Sequence, residues 1–82
     1  MDSGTEVNRY DTETLESQGF WRRGTLLSWN EQLWLVMGYW FYGWAENSQL
    51  LYKIVLNHVR TGLASSFPLE EIMHDAVEIK EG

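Results

Sequence analysis

Thirteen consecutive uncharged, mostly apolar residues, Leu33 to Ala45 (LWLVMGYWFYGWA), dominate the chain. A membrane-spanning helix needs about 20 such residues, so this run is too short to cross a bilayer and must be covered by protein. Apolar residues at every position satisfy a helical period as well as a strand period, so spacing alone does not decide between them. The density of Trp, Tyr and Phe favours a strand, and Gly38 and Gly43 count against a helix. An interfacial membrane segment would carry Lys or Arg for anionic lipid, and none occurs between Trp29 and Gln49. No membrane partner is expected.

The other bounds come from size and charge. A chain of 82 residues holds one small core. With no cysteine, neither a disulfide scaffold nor a zinc-thiolate site is available. A formal charge of -6 disfavours nucleic acid as a general partner, because phosphate binding needs a basic patch that releases counterions. Met1 to Thr14 is polar and acidic, without the basic and apolar regions of a secretory signal. The expected location is cytoplasmic, not secreted.

Along the chain, composition changes near Gly19. Residues 1–18 carry Asp2, Glu6, Asp11, Glu13 and Glu16 against Arg9 alone. They are expected to form a flexible acidic arm that does not join the core, with Val7, Tyr10 and Leu15 as its candidate contacts. Asp11 or Thr12 offers an N-cap for a turn ending at Ser17, but so short a turn does not persist alone. Residues 19–82 form the expected domain. Thr25 to Trp29 and Leu33 to Tyr42 read as two antiparallel strands around the polar turn Asn30-Glu31. Gly43 to Gln49 reads as a loop, and Leu50 to Val59 as a third strand. Arg60-Thr61-Gly62 is a tight turn with Gly62 suited to a positive φ. Leu63 to Phe67 is a fourth strand. Pro68 opens a helical turn to Met73, with Glu70 and Glu71 at its positive end, and Ala76 to Lys80 closes as a fifth strand.

This order of elements resembles a Src-homology-3-like (SH3-like) barrel. Gly24-Thr25-Leu26-Leu27-Ser28-Trp29 is similar to the first strand of translation-factor (KOW) and Tudor-type barrels, in which Leu27 and Trp29 would point inward. Leu33 to Gly38, Leu51 to Leu56 and Thr61-Gly62-Leu63 resemble the second strand, the third strand and the turn into the fourth. Glu70-Glu71-Ile72 followed by Ala76 to Ile79 resembles the closing segment. Small barrel proteins of tailed bacteriophages, including those of marine cyanobacteria, share the strand-opening Gly, the Trp ending the first strand and a Tyr-Lys-apolar third strand. The resemblance implies an all-β five-stranded barrel with one short helical turn before the last strand. It also implies a structural accessory role in a host cytoplasm or virion.

In a regular second strand, alternate residues face opposite ways. Leu33, Leu35, Met37, Tyr39 and Phe41 would share one face, and Trp34, Val36, Trp40, Tyr42 and Trp44 the other. A small core uses one face, and an exposed apolar remainder marks an interface. Trp34, Trp40, Tyr42, Trp44 and Glu46 are therefore the candidate binding surface, for a protein partner or for a second copy in a homo-oligomer. A sharper version is an aromatic cage for a methylated lysine or arginine, built from Trp40, Tyr42, Trp44 and Glu46.

Chemistry finds less support. His58 and His74-Asp75 show no ligand spacing, Ser65-Ser66 lacks the glycines of a nucleophile elbow, and no glycine cluster forms a phosphate loop. No enzyme activity, cofactor or metal is expected. Arg22-Arg23 beside Trp21 is the only basic pair. It is a candidate phosphate contact in the alternative reading, a nucleic-acid-associated barrel. With the arm so acidic, solvation or pairing with that arm is the preferred role of both arginines.

Overall fold

In a computed structural model, which describes residues 7–80, a helix, α1 (Arg9–Ser17), precedes a strand, β1 (Leu26–Trp29). A long strand, β2 (Gln32–Trp44), a third, β3 (Leu50–His58), and a fourth, β4 (Ala64–Pro68), follow. A second helix, α2 (Leu69–Asp75), leads to a two-residue strand, β5 (Val77–Glu78). All strand pairs are antiparallel, and the sheet order is β4-β3-β2-β1-β5. The five strands and the helix before the last occur in the expected order. The sheet is open, with β4 and β5 as its two edges.

Each turn has a local cause. Asn30 and Glu31 both adopt positive φ, 57° and 63°, the conformation of a two-residue turn whose twist matches the flanking strands. It closes directly on the Trp29–Gln32 pair. Gly62, at φ 76°, allows its own N–H to reach His58 O at 2.7 Å, so β3 turns back into β4. Pro68 cannot donate a backbone hydrogen bond and ends β4 where α2 begins. Leu69 and Ile72 bury one face of α2, while Glu70 and Glu71 lie in its positive first turn. This helix runs two residues beyond the expected turn.

One correction concerns the N-terminal segment. Residues 1–6 of the expected arm lie outside the described residues, but residues 9–17 form a helix and join the core. Asn8 caps it, with Oδ1 accepting from Asp11 N at 2.9 Å. Leu15 is 2% exposed and belongs to the core cluster. Polar side chains dock this helix as well. β1 pairs with β2 only as far as Leu35, with Val36 satisfied by Gly24 and Thr25. Beyond that point the β2 edge would be bare, and α1 covers it. Asn8 N donates to Tyr39 O at 3.0 Å. Thr12 Oγ1 accepts from Tyr39 N at 2.9 Å, and Asp11 Oδ2 accepts from Phe41 N at 2.8 Å. An edge strand left open is a template for unwanted pairing, and here a helix replaces the missing neighbour.

The same region explains how β2 faces the core. Register shifts fall between Val36 and Gly38 and between Phe41 and Gly43. Each inserts a residue and swaps the faces downstream. Trp34 and Val36 therefore point inward before the first shift, and Tyr39 after it; all three are buried. The expected division of this strand into two uninterrupted faces is corrected accordingly. Gly38 sits at φ 150° against α1, and a Cβ there would overlap the Val7 side chain and lie 2.8 Å from Thr12 Oγ1. Only glycine permits the approach. The core gathers Leu15, Leu27, Trp34, Tyr39, Ile54 and Leu56 with Leu69 and Ile72 of α2.

Candidate functional site

The five candidate surface residues do not form one surface. Trp34 is a core residue, 9% exposed. Its Nε1 donates to Trp29 O at 3.0 Å, and its ring meets His58 edge-on at 4.7 Å and Phe67 at 5.5 Å. The reason is the first register shift: Trp34 lies before it and Trp40 after it, so their faces are unrelated. Trp40 and Tyr42 do meet, with ring centroids 6.0 Å apart. Trp44 pairs instead with Phe41 at 5.7 Å, which in turn packs on Tyr52. Glu46 is exposed in the loop after β2.

The cage is accordingly not assembled. Trp44 is turned away by the second register shift. The cation position over Tyr42 is taken by Lys53, whose Nζ lies 5.2 Å from the ring centroid. Trp40 Nε1 is buried with no hydrogen-bond partner among the described residues.

Arg22 and Arg23 separate as well. Arg23 grips Glu16 of α1 in a two-pronged contact, Nε to Oε2 at 3.0 Å and Nη2 to Oε1 at 3.1 Å, while its backbone N–H reaches Oε2 at 2.8 Å. These hydrogen bonds hold the Glu16 carboxyl below the usual carboxylate range, and the same contact raises the Arg23 guanidinium. Arg22 stays exposed. His58 is tied into the fold: Nδ1 accepts from Thr61 N at 3.2 Å, which makes Nε2 the protonated nitrogen facing Gln32 Oε1 at 2.7 Å. Among the described residues, no group of three His, Asp or Glu converges to hold a metal ion. No helix among them is long and apolar enough to cross a membrane.

A concave feature lies elsewhere, between the two helices and the free end of the β2–β3 hairpin. It is a groove of about 570 Å³, within the roughly 300–1,000 Å³ range of ligand sites. Leu15, Phe20, Tyr52 and Leu69 line it, and all four also belong to the core or pack against it. Leu15 and Leu69 stay buried beneath it, while Phe20 and Tyr52 are half-buried along it. Leu50 from the hairpin and Met73 from α2 are 44% and 49% exposed at its margin. Gln18 closes the α1 side, and Glu70 and His74, one helical turn apart, close the α2 side. Tyr42 borders the hairpin end, the one member of the expected surface to do so.

Tyr39 anchors the back of this arrangement. Its hydroxyl donates to Trp21 O at 2.6 Å, fixing the segment that carries Phe20 into the groove. Burial, reinforced by the nearby Glu16 charge, pushes its phenol far above the ordinary tyrosine value. Of the groove residues, the Leu69–Met73 pair had a readable signal, an i,i+4 apolar pair directly after a helix-opening proline. Leu15 stood out only as an isolated apolar residue in an acidic, polar segment, and Phe20 had no such signal. No protein-family model, curated protein or solved structure matches this chain.

Proposed function

We propose that the chain is a non-enzymatic protein-interaction module, a structural accessory protein built on a small barrel-like sheet of the SH3 type. The observation that carries this reading is the groove. Leu50 and Met73 are exposed at its margin and Phe20 and Tyr52 are half-buried along its floor, and apolar surface left uncovered on a water-facing protein marks a contact site. Exposed Trp44, at 65%, the strand partner of Leu50, extends the apolar surface beyond the groove along the hairpin. The contact surface is therefore the groove and hairpin end, not the full aromatic face of β2. The nucleic-acid alternative draws on Arg22 and Arg23, and Arg23 is already committed to Glu16. A tailed-phage setting is carried by the strand motifs alone, and genomic neighbours encoding tail or capsid proteins would support it.

The test is selection of short peptides from a random library on the immobilised protein, followed by counter-screening on Met73→Glu and Leu50→Glu. Both positions are about half exposed, and a thermal melt of each variant checks that the fold is kept. Peptides that bind the parent and lose binding to either variant are expected. Enrichment of peptides indifferent to both variants, or no enrichment, would overturn the groove as the contact surface.

A further inference from the structure

Resting on that reading of the groove, we infer that its occupant is a short segment of a partner protein bearing large apolar side chains next to Lys or Arg, not a second copy of this chain. The floor calls for apolar groups, since Leu15, Phe20, Tyr52 and Leu69 supply no hydrogen-bonding side chain there except the Tyr52 hydroxyl. The rim supplies the charge. Glu70 is the only Asp, Glu, Lys or Arg lining the groove, and it makes no ion pair among the described residues. Glu71 and Asp75 lie on the same short helix, both exposed. Lys53, drawn over the Tyr42 ring, is not part of the groove lining. A cation beside Glu70 would complete the α2 rim.

A second copy fits poorly. In a two-fold contact through this groove each copy brings its own α2, with Glu70, Glu71 and Asp75, to the same interface, on chains that each carry -6. Like charges brought together at an interface select against that partner, and the same field draws in a basic one. A small molecule in the groove would leave Trp44 uncovered beyond it, whereas a peptide segment reaches from Leu50 at the margin to its strand partner Trp44.

The experiment is an amide NMR titration of the whole chain with a synthetic peptide of Leu, Phe and Lys, and with its twin in which every Lys is Glu. The Lys peptide is expected to shift Leu15, Tyr52 and Met73 amides, the Glu twin to leave them unmoved, and Glu70→Gln to weaken the Lys peptide about two- to fivefold. Added salt should weaken it further. Equal binding of the twins would overturn the basic occupant while leaving the groove reading intact. If neither peptide moves those amides, the inference fails, and peptides selected as above then decide the groove reading separately. Shifts of the same amides on concentrating the protein without peptide would identify a second copy as the occupant and overturn it.

Discussion

Truncating Leu15 to Ala removes three buried carbons from a helix that the acidic composition of its segment would leave undocked. At about 0.8 kcal/mol per buried methylene-sized group the transfer loss is about 2.4 kcal/mol. A rigid cavity would add to this, but Leu15 also lines the groove, so the space left behind joins an existing opening and adds little. The expected loss is about 2–3 kcal/mol, the low end of the usual range for such truncations. For a domain of this size that lowers Tm by roughly 8–24 °C. Thr12→Val tests the polar half of the same docking. It keeps the shape but removes the acceptor of Tyr39 N, stranding a buried N–H at a cost of about 1–3 kcal/mol. Thr12→Ser, which keeps the hydroxyl, should lose less. Urea unfolding followed by Trp fluorescence measures all three. If Leu15→Ala and Thr12→Val both unfold within about 0.5 kcal/mol of the parent, a change typical of surface sites, then α1 is not part of the fold.

Trp34→Ala should cost about 3–5 kcal/mol while Trp44→Ala stays within about 0.5 kcal/mol; equal losses in chemical denaturation would refute the assignment of one to the core and the other to the surface. Glu16 titrates lower in the folded state than in the unfolded, so its contact with Arg23 contributes stability above the ordinary carboxylate value of 4.5, lost as pH falls below it. Thermal melts should therefore show a smaller drop in Tm on acidification for Glu16→Gln than for the parent, and an identical drop would remove the effect. Tyr39 is raised, so its contribution is complete below the ordinary tyrosine value of 10.0 and is lost as pH rises from there toward the folded value. Tyr39→Phe, which also leaves Trp21 O without its donor at about 0.5–1.5 kcal/mol, should flatten that alkaline loss, and parallel curves for the two proteins would contradict the burial of the phenol.

The parts of the fold that local chemistry dictates were legible in the sequence. Asn30-Glu31, Arg60-Thr61-Gly62 and Pro68 each punctuate the chain for a reason that needs no partner, and they place five strands and the second helix in order. The long apolar strand was legible as a strand but not in its facing. Where every residue is apolar, no alternation reports the register, and two inserted residues near Gly38 and Gly43 reversed it. A glycine inside a strand is the usual trace of such a shift, and Gly38 carried that trace. The N-terminal helix was hidden for the opposite reason. Asn8, Asp11 and Thr12 dock it by satisfying the backbone of Tyr39 and Phe41 thirty residues away in round terms, and hydrophobic periodicity is blind to polar docking. The groove followed from that helix, since one wall and part of its floor, Leu15 and Phe20, arrive with it. Of the candidate surface only Tyr42 reached the groove, with Trp44 extending its apolar margin along the hairpin.

The most direct test of an open groove awaiting a foreign basic segment is absolute mass in solution, by size-exclusion chromatography with light scattering across a dilution series. The predicted result is 9.6 kDa at every concentration, because the like-charged α2 helices keep two copies apart. A stable dimer that dissociates on Met73→Glu would contradict it, and would place a second copy of the chain in the groove.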